Sequence, residues 1–67
     1  MDRGLRAQLS PNEESTFRRV ARAGLPQEQS RPEDTAQLAA LQLIEIRDGT
    51  WYLTALGSER LETVLRR

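Results

Sequence analysis

Apolar residues along this chain recur first at helical spacing, then in strict alternation, then at helical spacing again. From Ser10 to Gly24, Phe17, Val20 and Ala21 fall three and four apart and share one face of a helix, with Ser15, Arg18, Arg19 and Arg22 on the opposite face. Ser10-Pro11-Asn12-Glu13 supplies the start: the serine oxygen accepts an amide while Glu13 reaches back, and proline sits inside the first turn. The spacing predicts a helix over Pro11 to Ala23 that stops at Gly24, where a left-handed glycine lets Leu25 touch Val20 in a Schellman ending. Pro26 to Pro32 is polar and bounded by prolines, so it reads as a loop or a single turn. Ser30 to Glu33 repeats the serine-to-glutamate spacing ahead of good helix formers, which predicts a second helix over Pro32 to Leu41. Leu38 and Leu41 lie on one side of it, and Ala36, Ala39 and Ala40 on the other.

Alternation takes over at Leu43. Ile44-Glu45-Ile46-Arg47 and Thr50-Trp51-Tyr52-Leu53 flank Asp48-Gly49, a dipeptide that tolerates the positive φ angles of a two-residue type I′ turn. That turn sets Arg47 opposite Thr50, Ile46 opposite Trp51, Glu45 opposite Tyr52 and Ile44 opposite Leu53. The predicted hairpin, Leu43 to Leu53, therefore has a dry face of Ile44, Ile46, Trp51 and Leu53, and Tyr52 lies on its wet face. Thr54 then caps a closing helix over Ala55 to Arg66, whose inner face is Gly57, Leu61, Val64 and Leu65, with the glycine admitting a neighbouring backbone. The expected core sets the dry face against Phe17, Val20, Leu38, Leu41, Leu61, Val64 and Leu65. These elements make an α+β domain over residues 1–67, three helices with a two-stranded antiparallel hairpin, preceded by a flexible arm at residues 1–9.

Composition narrows what such a domain can do. In 67 residues there is no cysteine and no histidine, and all ten basic residues are arginine, so thiolate, imidazole and lysine chemistry are excluded. The acid pairs Glu13-Glu14 and Glu33-Asp34 fall at helix starts, where the macrodipole already accounts for them. A non-enzymatic protein without cofactor, metal or small-molecule substrate is expected. No apolar run approaches the ~20 residues of a membrane span, and MDRGLRAQLS lacks a secretory hydrophobic stretch, so no membrane partner and a cytoplasmic location are expected. Formal charge is zero; six arginines face four acids up to Arg31, and the ratio reverses afterwards. A dedicated nucleic-acid binder usually shows a clear basic excess, which argues against strong non-specific DNA affinity.

Leu43, Ile44, Glu45, Gly49, Trp51, Leu53, Thr54 and Gly57 together form a pattern: a helix, then LIEIRDGTWYLT, then an early glycine in a closing helix. It resembles the second half of bacterial winged helix-turn-helix domains of the MarR and PadR kind, over Leu38 to about Leu65. The resemblance implies a small winged-helix protein that regulates transcription by binding DNA, with the hairpin as wing and the helix over Pro32 to Leu41 as recognition helix. This chain departs from the pattern at three places. Gln42 stands where those families often have glycine, Gly24 to Arg31 is short for a middle helix plus turn, and the recognition helix opens on Glu33 and Asp34 without an arginine for guanine edges.

On that reading Arg3, Arg6, Arg18, Arg19, Arg22 and Arg47 contact phosphates, and Gln37 is the side chain suited to a base edge. DNA binding would then be weak, salt-sensitive and indifferent to sequence. The alternative is a protein-interaction module that keeps the scaffold without its DNA-reading chemistry. Its docking surfaces would be Ala36, Ala39 and Ala40, or the outer hairpin face at Tyr52, and a homodimer would form through the alanines or through Leu65.

Overall fold

Ser10 opens the first helix through both arms of the expected capping box. Its hydroxyl accepts from the Glu13 amide at 3.2 Å, and its own amide donates to the Glu13 carboxylate at 2.9 Å. The helix that follows, α1 (Pro11–Ala23), leads to β1 (Leu25–Pro26), a 3-10 turn (Gln27–Gln29), α2 (Pro32–Ala40), β2 (Ile44–Arg47), β3 (Thr50–Leu53) and α3 (Ala55–Leu65). This computed structural model describes residue 5 and residues 7–65, the last two through their backbone alone. Arg3, Arg6, Arg66 and the side chains of Val64 and Leu65 thus lie outside the described residues.

The class is α+β, but among the described residues the sheet has three strands in the order β1-β3-β2, where the sequence gives cause to expect only the hairpin. The cause lies at Gly24. Its φ of 86° and ψ of 162° send the chain out extended, so the Schellman ending does not form; its amide bonds the Val20 carbonyl at 2.9 Å, and Leu25 pairs with Trp51 instead of capping the helix. A side chain at Gly24 would stand 3.0 Å from Tyr52 Cε1 and 3.2 Å from the Trp51 carbonyl, which is why glycine sits where the strands converge. Pro26 lacks an amide and ends the strand after two residues, and the ladder closes with the Gln27 amide on the Gly49 carbonyl at 2.8 Å.

All four expected hairpin pairs are present, and Asp48 and Gly49 have the positive φ values, 52° and 76°, that the two-residue turn requires. The start of α2 differs from expectation. Ser30 Oγ turns back to the Gln27 carbonyl at 2.8 Å and closes the 3-10 turn, leaving Arg31 as an N-cap without a side-chain bond. At the other end, Gln42 takes φ 63° in place of glycine, and the reversed chain lets the Leu43 amide bond the Leu38 carbonyl at 3.0 Å. Left-handed backbone at a non-glycine residue costs about 1–2 kcal/mol, and the burial of Leu43 that it permits is of comparable size.

Thr54 ties the hairpin to α3. Its hydroxyl accepts from the Gly57 amide at 3.0 Å and donates to the Gln42 carbonyl, while its amide bonds the Leu43 carbonyl at 3.0 Å. The core consists of Phe17, Val20, Leu25, Leu38, Leu43 and Ile44, with Leu41, Trp51, Leu53 and Leu61 packed around it. Two of its members, Leu25 and Leu43, lie outside the core expected from alternation. Conversely Ile46 is 40 % exposed, because it lies on the edge strand two positions from the turn, and burial ends at Ile44. Leu9 also packs on the core, and the Ala7 carbonyl accepts from Arg60 at 2.9 Å, so these two residues of the expected flexible arm are tied down.

Candidate functional site

Helix α1 presents Ser15, Arg18, Arg19 and Arg22 to solvent, as its spacing dictates. With Pro11 and Glu14 they line a shallow cleft of about 370 Å³. A second cleft of about 230 Å³ adjoins it, because Arg19 lines both; there Arg19 and Arg31 stand over the junction of α1 with α2. At that junction lies Asp34, buried, with its Oδ2 accepting the Thr16 hydroxyl at 3.2 Å. Of the two acids expected to repel DNA at the start of α2, therefore, only Glu33 faces solvent.

The acids of α1 are occupied while its arginines are not. Glu13 is held in the capping box, and Glu14 lies 3.9 Å from the guanidinium of Arg60. Among the described residues no carboxylate comes within ion-pairing distance of Arg18, Arg19, Arg22 or Arg31, whereas Arg60 pairs with Glu14 and Arg47 with Glu45. Arg60 is a buried arginine that sequence reasoning passes over. Its guanidinium lies 5.9 Å from the centre of the Phe17 ring and donates to the Ala7 carbonyl, which fixes α3 against α1. Its position three after Gly57 and four before Val64, on the inner face of the closing helix, is the signal that marks it.

Other expected contact residues lie apart from this arginine surface. Arg47, on the outer hairpin face, sits 4.8 Å from the centre of the Tyr52 ring and 4.0 Å from Glu45, and it lines neither cleft. Gln37 is exposed on α2 in a stripe with Glu33, Ala36 and Ala40, and it lines neither cleft either. The three-alanine face is reduced to Ala36 and Ala40, since Ala39 packs against the core. Beside Ala36 a third cleft, about 290 Å³, runs between α2 and the half-buried Trp51. Arg3, Arg6 and the Leu65 side chain lie outside the described residues. Among the described residues no three carboxylates gather to hold a metal, and no helix is long and apolar enough to cross a membrane.

The Thr16–Asp34 bond joins α1 to α2 beneath the arginine surface, and its loss leaves a buried carboxylate oxygen without that donor. Thr16→Val is expected to cost about 1–3 kcal/mol, read from urea midpoints. The cost should shrink when Asp34→Ala is present as well; equal costs in both backgrounds would show that the two side chains are not coupled.

No family model matches the chain, and comparison with curated proteins and with solved structures finds no match.

Proposed function

We propose that this is a cytoplasmic, non-enzymatic protein of winged-helix type that binds duplex DNA weakly through phosphate contacts, in a transcription-regulatory role. The observation that carries the reading is the set of four arginines, Arg18, Arg19, Arg22 and Arg31, on adjoining clefts, none of them within ion-pairing distance of a carboxylate among the described residues, although Glu14 and Asp34 also line those clefts. Guanidinium groups of this kind bond phosphate oxygens in pairs and retain their charge at any physiological pH. The hairpin register, the helix that precedes it and the Thr54–Gly57 cap support the winged-helix part of the reading.

Titration with random-sequence duplex at about 50 mM and about 200 mM salt tests it, since each phosphate neutralised adds about 0.9 to the slope of log K against log salt. Replacing Arg18, Arg19 and Arg22 together by glutamine is expected to reduce that slope by about 2–3, while Gln37→Ala leaves it unchanged. Nanomolar affinity for one duplex that survives the higher salt and is lost on Gln37→Ala would instead mark a base-reading helix.

A second reading has its own observation. The exposed stripe of α2, Glu33, Ala36, Gln37 and Ala40, contains no cation and opens on a carboxylate, which suits a protein partner better than a major groove. Absence of any amide shift on adding duplex at low salt would favour this protein-interaction module.

A further inference from the structure

Strand β2 is an edge of the sheet. It pairs with β3 on one side, and on the other no backbone group of Ile44 to Arg47 bonds a described residue. In a two-residue hairpin the pair flanking the turn, here Arg47 and Thr50, exchanges both amide bonds, and such pairs recur at every second position. Glu45 is thus bonded toward β3, and the amides and carbonyls of Ile44 and Ile46 point outward. Edges are usually blunted by shortness, charged side chains, proline or an inward-facing charge. This one is four residues long and carries Glu45 and Arg47 on its outer face, but it has no proline and no inward-facing charge, and it has in Ile46 the most exposed large apolar side chain among the described residues.

We propose that β2 pairs with β2 of a second copy of this chain, antiparallel about a twofold axis through Ile46, to form a six-stranded sheet. In a continuous sheet opposed residues share a face, so the axis must pass through a residue and not between two. Axes through Glu45 and through Ile46 both use the outward amides, and charge decides between them. The first sets Glu45 against itself. The second sets Ile46 against Ile46 and places Glu45 opposite Arg47 of the other copy twice, in the closer, non-hydrogen-bonded positions. Glu45 and Arg47 already lie 4.0 Å apart within one strand with more than half of each side chain exposed, so each can turn to the new partner, Arg47 exchanging its exposed contact with the Tyr52 ring for the new pair. The contact is small, at the weak end of specific interfaces, and the dimer is expected to form only at high protein concentration.

Sedimentation and amide shifts followed over a concentration series test the pairing and its register. Glu45→Arg and Arg47→Glu each put like charges opposite each other across the axis, and each is expected to weaken dimerisation about tenfold or more. Mixing the two variants restores it, because every cross-strand pair in the mixed dimer is again of opposite sign. Both substitutions are at exposed positions, and the mixture reports directly on whether they remain folded. Wild-type protein still monomeric at about 1 mM would overturn the proposal. A dimer that ignores both substitutions, or two weakened variants that fail to rescue each other when mixed, would overturn it as well.

Discussion

Replacing Gly57 with alanine is expected to lower the melting temperature by about 10 °C, against the direction that helix propensity alone would give. Alanine inside a helix is favoured over glycine by about 1 kcal/mol, so an exposed site in α3 would be stabilised. Gly57 is buried, and a Cβ there would overlap the Leu43 carbonyl oxygen, with that carbonyl's carbon at 3.1 Å and Leu53 Cδ2 at 3.3 Å. A long side chain could yield, but this backbone cannot do so cheaply. The Leu43 amide is bonded to Leu38 and its carbonyl to the Thr54 amide, so moving it loosens the end of α2 and the cap of α3 together. Overpacking of that kind costs about 3 kcal/mol, which outweighs the propensity gain. Thermal melts followed by circular dichroism check this, with Gly49→Ala as comparison. A Cβ at Gly49 meets nothing, so that change carries only the left-handed backbone penalty of about 1–2 kcal/mol. A Gly57→Ala protein that melts at or above the wild-type temperature would mean that α3 does not rest on the Leu43 carbonyl.

Both the glycine and its role are legible in the sequence, because Thr54 and Gly57 stand at a cap and at the first inner position of a helix. The hairpin is legible for a similar reason: Asp48-Gly49 admits one turn, and the turn admits one register. β1 is not legible. Two residues, one of them proline, have no alternation to detect, and they form a strand only because Gly24 leaves α1 extended beside Trp51 and Thr50. The candidate site divides in the same way. That Arg18, Arg19 and Arg22 share a face follows from helical spacing, whereas the fate of the nearby acids depends on contacts between distant segments. Thr16 turns Asp34 inward, and Arg60 engages Glu14 from the far end of the chain, and neither contact has a local signature.

Core membership shows the limit of alternation most directly, and it sets the largest difference expected between two similar substitutions. Leu43→Ala is expected to cost about 3–4 kcal/mol, and Ile46→Ala about 1 kcal/mol or less, although alternation places Ile46 in the core and says little of Leu43. Period-two spacing tells which face a residue occupies; it does not tell how far along the strand the helices reach. Leu43 precedes β2, yet the left-handed Gln42 turns it inward, where it is 0 % exposed between α2 and the start of α3. Truncating it leaves a cavity, and the Leu43 backbone, held by its bonds to Leu38 and Thr54, cannot readily move in to fill it. Total stability for a chain of this length is about 3–10 kcal/mol, so the Leu43 variant loses about a third or more of it, and at the low end of that range it populates unfolded protein before denaturant is added. Urea unfolding at low micromolar concentration, where a weak dimer contributes nothing, gives the comparison cleanly. Equal midpoints for the two variants would place burial along β2 as far as Ile46, and would remove the exposed edge on which strand pairing between copies depends.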